Sequence, residues 1–288
     1  MGDGDFAWDG SPSEPAAQPP PARPRSRVAP LLAAVAIAAV VTVALVMASG
    51  RGTTPRSGGP VALAAAVTSG EAGFRVELAA QAAIGGRTID FNGSGSVSER
   101  QPLSATMTMS IAGTTTNEIV LAPYVYVQAP GSSNSWFRAS LENISTDENP
   151  AQTLATLRAA GSVTRVGAAE LDGVPTTHYH AVIDLTRVAD AVPAASRSLA
   201  ARYASALNAL TGSADLPTDV WIDAQNRVRR VTLGMDACTR EGHLSESVQV
   251  DYSDFGPQPP VSAPPADRVS ELPGGLSDPT AQLKSIAC

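Results

Sequence analysis

His178 and His180 are the residues whose types and spacing come closest to a chemical site. They form a His-x-His pair on one face of a predicted strand, a spacing that can bind zinc, and Asp184 lies on the same face as a third candidate ligand. The alternative is an exposed polar strand face, because the alternating residues Tyr179 and Ala181 fit a buried face. We favour the exposed polar face and predict no metal site.

Other motifs for catalysis are missing from the sequence. It has no Gly-x-Ser-x-Gly, Ser-x-x-Lys or Cys-x-x-Cys motif and no Walker-type loop. Catalysis would need a nucleophile with a base, converging carboxylates or a metal, so we predict that the chain is not an enzyme and uses no cofactor. The formal net charge of -7 argues against a nucleic-acid partner.

Residues 28–50 form an uncharged, mostly apolar segment of 23 residues. As a helix it would reach roughly 34 Å, enough to cross a hydrocarbon core of about 30 Å. The alternative is a cleaved signal peptide, since Val46-Met47-Ala48 has small residues at the usual cleavage spacing. The apolar run is longer than a typical signal core, so we favour a retained transmembrane helix. Both interpretations export the rest of the chain.

The charges beside this segment predict its orientation. Arg23, Arg25 and Arg27 precede it, whereas only Arg51 and Arg56 follow it closely. By the positive-inside rule the N-terminus is cytoplasmic and the C-terminal domain is extracytoplasmic. We therefore predict a single-pass protein of the cell membrane.

The residues on either side of the predicted helix do not form a core. Residues 1–27 are acidic and then proline-rich, with Phe6 and Trp8 as their only aromatic residues, so we predict a disordered cytoplasmic tail. This tail either docks a cytoplasmic partner through its aromatic residues or is a plain leader. Residues 51–60 are rich in Gly, Ser, Thr and Pro and predict a flexible linker to a domain at 61–288.

Alternation of apolar and polar residues dominates residues 61–288 and predicts about eleven strands. One apolar and one polar face per strand indicates an antiparallel sheet with one side in water. The predicted strands are 74–80, 89–97, 105–111, 117–121, 124–128, 136–140, 163–171, 178–185, 220–222, 228–235 and 247–253.

Helices are predicted to cover the apolar face of this sheet. One begins at Asn149-Pro150 and ends at Gly161, a second spans about 193–210 with Gly212 beyond its end, and a short one lies around 61–68. The fold class is therefore mainly β with covering helices (α+β). Gly85-Gly86, Gly93 and Gly95 are the predicted bend or bulge sites.

Three local sequences in this order resemble the actinobacterial LppX/LprG-type cell-wall lipoproteins and, more distantly, LolA-like lipoprotein carriers. They are residues 172–185 (DGVPTTHYHAVIDL), 220–230 (VWIDAQNRVRR) and 251–265 (DYSDFGPQPPVSAPP). The resemblance covers about residues 61–272. It implies a half-open antiparallel β-barrel whose concave side holds acyl chains, and a role in binding or handing over a lipid or lipidated molecule at the cell envelope. Many relatives attach through a lipidated cysteine, whereas this chain has the predicted helix.

The residues predicted to line this lipid-binding cavity are apolar and point inward by alternation, with three more from the second helix. Met107 and Met109 suit an adaptable acyl pocket, although methionine also fills ordinary core gaps. The predicted cavity residues are Phe74, Val76, Leu78, Ile89, Phe91, Met107, Met109, Ile111, Tyr179, Ile183, Leu199, Tyr203, Leu207, Val231, Leu233, Val248 and Val250.

Two functions from different classes fit these observations. The first is a membrane-anchored, extracytoplasmic lipid-binding protein. The alternative is a single-pass envelope sensor or protein-interaction module that uses the same half-barrel, because a fold does not fix a function. An enclosed apolar cavity favours the first, and a filled core with an exposed apolar patch favours the second.

Cys238 and Cys288 are the chain's two cysteines, and both lie in the exported part. An oxidising compartment favours their pairing, so we predict a disulfide between them. It would attach the C-terminal residues 277–288 to a loop after the strand at 228–235.

Overall fold

The fold is given by a computed structural model, which describes residues 59–98, 103–129, 131–132, 134–140, 157, 160–191, 197–239 and 242–272. The predicted tail, the predicted transmembrane segment 28–50 and most of the predicted linker lie outside these ranges. Within the described ranges, no helix is long and apolar enough to cross a membrane.

Twelve strands form one open sheet, one strand more than the alternation predicts. Neighbouring strands are antiparallel except β12, which runs parallel to β6. The spatial order is β12-β6-β5-β4-β3-β2-β1-β11-β10-β9-β8-β7. The strands are β1 (Gly73–Ile84), β2 (Arg87–Ser98), β3 (Ser104–Ile111), β4 (Thr114–Leu121), β5 (Tyr124–Gln128), β6 (Trp136–Ser140), β7 (Ala160–Leu171), β8 (Val174–Asp184), β9 (Asp215–Asp223), β10 (Val228–Thr239), β11 (Gly242–Ser253) and β12 (Val269–Glu271).

Two-residue turns connect three of the hairpins, and their backbone explains the local sequence. Gly85-Gly86, Ala112-Gly113 and Asp172-Gly173 have positive φ at both positions, the conformation whose twist matches the strands beside it. Asn226 also has a positive φ, at 58°, in the turn between β9 and β10. There Asp223 Oδ1 accepts hydrogen bonds from the backbone N–H groups of Gln225 and Arg227.

The described helices are α1 (Pro60–Thr68), α2 (Val188–Ala191) and α3 (Arg197–Thr211), with a 3₁₀ turn at Ala266–Arg268. The short leading helix is confirmed as α1, and Pro60 is its first residue. α3 ends before Gly212, whose φ of 69° is typical of a helix end. The predicted second helix, about 193–210, corresponds to α3, and α2 was not predicted. Residues 192–196, which include the predicted start of that helix, lie outside the described ranges.

The prediction that Gly161 ends a helix is wrong, because β7 already begins at Ala160. Gly161 lies at a register shift, where Ala160 pairs with Ile183 and Ser162 pairs with Val182. Such a shift marks a β-bulge, in which one residue of the bulged strand has no partner, and glycine inside a strand often marks a bulge. Leu157 is helical and buried, as the prediction requires, and Asn149-Pro150 lies outside the described ranges.

The core lies on one face of the sheet, which we call the apolar face. Helix α1 packs on β7, β9 and β10, and α3 packs on β10. Thr68 at the end of α1 connects helix and sheet, since its Oγ1 accepts a hydrogen bond of 2.8 Å from the backbone N–H of Val228. The opposite face, which we call the outer face, carries mainly polar residues. One covered face and one polar face follow directly from the alternation in sequence.

Candidate functional site

The strand residues predicted to line a cavity share the apolar face. Ile111, Tyr179, Tyr203 and Leu233 are partly buried against this core, and Leu199 lies in α3. That these residues bind a ligand stays a prediction. The buried ones are Phe74, Val76, Leu78, Ile89, Phe91, Met107, Met109, Ile183, Leu207, Val231, Val248 and Val250.

Met107 and Met109 lie over two glycines of the neighbouring strand. The register pairs Gly95 with Met107 and Gly93 with Met109. A Cβ atom built on Gly93 would be 2.5 Å from the Met109 Sδ, and one built on Gly95 would overlap the Thr106 carbonyl oxygen and the Met107 Sδ. The missing side chains on β2 are therefore what allows two long thioethers to lie flat on the apolar face.

Gly93 and Gly95 are predicted as bend or bulge sites, and the bulge alternative is wrong. β2 pairs without a register shift with β1 on one side and β3 on the other through both glycines. Glycine at these positions serves the close approach of neighbouring atoms, which is the other common reason for glycine inside a strand.

Two carboxyl groups lie on the apolar face, and the sequence analysis did not identify either of them as part of a site. Glu118 of β4 pairs with Met107, and Glu246 of β11 pairs with Ala82 of β1. Both side chains are half-buried. Burial raises the pKa of Glu118 and of Glu246 to about 7. For Glu246 the available signal was an acidic residue at an inward position of an alternating strand, whereas β4 does not alternate around Glu118.

Tyr252 places a third polar group on this face. Its ring is buried and meets Phe74 edge-on, with centroids 5.5 Å apart. Its hydroxyl is buried and has no hydrogen-bond partner among the described residues. Burial, with the nearby Asp251 charge as a smaller cause, raises the pKa of this phenol above its usual range.

The two histidines of the His-x-His pair meet on the outer face, but with a different aspartate from the one predicted. Asp219 Oδ1 lies 2.8 Å from His178 Nε2 and 3.2 Å from His180 Nδ1. The His178 ring also stacks on Trp221, with centroids 4.3 Å apart. The structure therefore gives both histidines one carboxylate partner on the neighbouring strand β9.

Asp184, the third ligand considered from the sequence, lies elsewhere. Its Oδ1 accepts hydrogen bonds from the Thr186 backbone N–H and hydroxyl, which lower the pKa of the Asp184 carboxyl. In the described ranges, no group of three or more His, Cys, Asp or Glu side chains is arranged to hold a metal ion.

A groove of about 720 Å³ lies mainly on the outer face, across β10, β11, β1 and β2. Most of its lining residues belong to the outer face, whereas Ala80, Leu233 and Val248 belong to the apolar face, and Leu233 and Val248 are also among the predicted acyl-binding residues. The lining residues are Ala79, Ala80, Gln81, Asp90, Asn92, Thr232, Leu233, Gly234, Ser247, Val248 and Gln249.

Cys238 lies within β10 and not in a loop after it, because this strand continues to Thr239. It is not a free thiol. Cys288 lies outside the described ranges, so the Cys238–Cys288 disulfide stays a prediction. His243 lies in β11, exposed, with its Nε2 atom 3.7 Å from Asp236 Oδ1.

No protein-family model matches this chain. A curated relative, an uncharacterised 31.2 kDa protein from the rplA-rplJ intergenic region of Streptomyces griseus, is 27% identical over 139 residues. The match covers 47% of this chain and 42% of the relative, so the chain spans less than half of that relative's length.

Solved structures similar to this chain include proteins of the group that the sequence resembles. LprF from Mycobacterium bovis has a TM-score of 0.47 at 15% identity and covers 71% of this chain and 95% of its own. The lipoprotein LppX from Mycobacterium tuberculosis has a TM-score of 0.45 at 17% identity, covering 70% and 94%. A LolA superfamily protein from Nitrosomonas europaea has a TM-score of 0.27 at 12% identity, covering 73% and 96%.

Proposed function

We propose that this chain is a membrane-anchored, extracytoplasmic protein that binds a lipid or another acylated molecule on the apolar face of its sheet, without catalysis. In this proposal residues 28–50 anchor the chain, residues 1–27 are cytoplasmic and the domain from about residue 61 is at the cell envelope. The ligand is bound locally and handed over near the membrane, because a tethered domain has a limited reach.

The observation that carries the proposal is the placement of Met107 and Met109 over Gly95 and Gly93. A methionine side chain is unbranched and flexible, so it can move aside for a ligand at little cost. The glycines give the thioethers room close to the strand. A flexible surface of this kind is suited to acyl chains, which differ in length and bend.

The extent of the apolar face supports the same function. The main helix contacts in the described ranges fall on β7, β9 and β10, at one side of the sheet. Phe91, Met107 and Met109 lie on β2 and β3, towards the other side. These side chains are already buried, so in this proposal a ligand enters beside the helices by moving the two flexible methionines aside.

The test is binding of a fluorescent fatty acid, dansyl-undecanoic acid, to the full-length chain in mild detergent. Saturable binding is expected, together with a loss of about tenfold or more in affinity for Met109→Asp, because a charge would enter the acyl site. Met109→Gln keeps the length of the side chain and serves if the aspartate variant does not fold. Thr108→Asp is the matched control, since Thr108 is exposed on the opposite face of the same strand.

Thermal unfolding of each variant separates the two interpretations of this face. If binding is lost while the melting temperature is retained, the acyl site stands. If the wild-type chain takes up no probe, the lipid-binding proposal fails. It also fails if no probe binds and Met109→Gln unfolds the domain, because Met109 is then an ordinary core residue. The protein-interaction module would then be the better description.

A further inference from the structure

Glu118 is a lone carboxyl group in an apolar row of the sheet. Pairing across β2 to β6 places Gly95, Met107, Glu118, Val127 and Phe137 side by side. The inward residues of the rows before and after it are also uncharged: Gly93, Met109 and Thr116 on one side, and Val97, Ala105, Val120, Val125 and Ala139 on the other. No titratable group on β3 or β5 therefore faces the Glu118 carboxyl from the apolar side.

Glu246 is in the same situation on the other half of the sheet. Its neighbours across the strands are Ala82 of β1 and Met235 of β10. The rows on either side hold Ile84, Leu244 and Ala237, and Ala80, Val248 and Leu233. The described helices add no buried cation, since α1 has no titratable residue, Asp190 of α2 is acidic, and in α3 Arg197 and Arg202 are exposed while Tyr203 packs against the core.

Several other carboxylates in the described ranges have cationic or histidine partners. Asp251 is paired with Arg230, Asp223 with Arg227, and Asp219 with both histidines. Neither Glu118 nor Glu246 has a hydrogen bond or ion pair within the described residues, and burial is the one cause that raises the pKa of each to about 7. At pH above 7 the apolar face therefore carries negative charge without a neighbouring cation.

Charge without a counter-charge selects ligands. In a weakly polar surrounding, a carboxylate repels a second anion much more strongly than it would in water. A cleft lined by one sign of charge also disfavours ligands of that sign at a distance. An uncharged ligand meets neither effect, and its hydroxyl or ester groups can share hydrogen bonds with a carboxyl group.

We propose that Glu118 and Glu246 make the apolar face selective for acyl ligands without a negative charge, and that they reject lipids carrying a phosphate. This inference rests on the proposed acyl-binding function, and it adds the class of ligand. The two residues act by charge. Glutamine at both positions keeps the size and the hydrogen-bonding capacity of the side chains, so it should remove only the selectivity against anionic lipids.

The experiment compares two fluorescent lipids with the same acyl chains, NBD-labelled dioleoylglycerol and NBD-labelled dioleoylphosphatidylglycerol, on the full-length chain in mild detergent. At pH 8.5 the wild-type chain is expected to bind the uncharged lipid about tenfold more tightly or better. At pH 5.5 the difference should shrink to about threefold or less, because both carboxyls are protonated. The E118Q/E246Q double variant should show the small difference at both pH values.

Glu77→Gln is the control for a loss of carboxylate charge, because Glu77 lies on the outer face of β1 and the substitution removes one charge there. It should leave the wild-type selectivity unchanged. An equal affinity for both lipids at pH 8.5, or an undiminished difference in the double variant, overturns the inference while leaving acyl binding in place. If neither lipid binds to the wild-type chain, both the inference and the proposed function fail.

Discussion

The Sδ atom of Met109 occupies the space in which a side chain at residue 93 would begin. A Cβ built on Gly93 would lie 2.5 Å from it, and the nearest atoms all belong to the flexible ends of Met107 and Met109. At Gly95, by contrast, the nearest atom is the Thr106 backbone carbonyl oxygen. The two glycines thus make room for different kinds of neighbour.

This difference predicts opposite tolerances to alanine. Gly93→Ala should reduce the free energy of unfolding by about 1 kcal/mol or less, because Met109 can change rotamer. Gly95→Ala should cost about 3 kcal/mol or more, because the β2–β3 backbone must separate. Urea unfolding of both variants measures this, and equal losses would contradict the assignment.

Stability should fall as pH rises from about 4.5 to about 7. The pKa values of Glu118 and Glu246 are raised from 4.5 to about 7, so the folded state holds protons that the unfolded state has released. Their contribution is complete below pH 4.5 and is lost as pH passes the folded pKa. In the double variant E118Q/E246Q the melting temperature should depend much less on pH over this range. A wild-type slope that persists in that variant would assign the effect to other groups.

Removing the Tyr252 hydroxyl should not destabilise the domain. That hydroxyl is buried without a partner in the described ranges, so Tyr252→Phe is expected to raise the free energy of unfolding by about 1 kcal/mol. Phe74→Ala, which removes the ring it contacts, should cost about 3–5 kcal/mol. Chemical denaturation compares the two. A loss of about 1 kcal/mol or more in Tyr252→Phe would reveal a hydrogen-bond partner.

The Cys238–Cys288 disulfide should be present in the exported protein. It would close a loop of about 50 residues, for which chain entropy gives roughly 4 kcal/mol, less any strain. Thiol counting on unreduced, denatured protein should find no free thiol, and Cys238→Ser should lower the melting temperature. Two reactive thiols would refute the pairing.

The topology prediction is an N-terminus in the cytoplasm and a retained helix at 28–50. Protease added to intact, wall-stripped cells should digest the domain and spare an N-terminal tag. A mature protein that begins at Ser49 would identify the segment as a signal peptide instead.

Strand alternation was enough to predict most of the sheet, and the missed parts have local causes. β12 has only three residues and pairs parallel to β6, so it has no alternation of its own to detect. The start of β9 was missed because Pro217 interrupts it. Pro217 pairs with Val182 of β8. On its other side the pairing with β10 ends at Leu233 and Thr218, so the missing N–H of Pro217 costs no hydrogen bond to β10.

The site was harder to predict, because its polar groups are defined by pairing between distant segments. His178 and Asp219 are 41 residues apart, with α2 and α3 between them in the sequence, and nothing local joins β8 to β9. Glu118 likewise becomes unusual only after β3 and β5 place Met107 and Val127 beside it. The predicted inward residues needed only alternation, which explains why they share one face.

The bulges in β7 have a consequence for assembly. An open sheet has two edges, and an edge with free backbone groups is a template on which a second copy can add a strand. β7 shifts register twice, once between Ala160 and Ser162 and once between Arg165 and Gly167. Val166, which lies within the second shift, is exposed. These shifts break the even spacing of N–H and C=O groups that a new strand would need. The opposite edge, β12, is three residues long and too short to start one. The sheet can therefore stay unclosed, as the proposed ligand site on its face requires, without growing into a fibre.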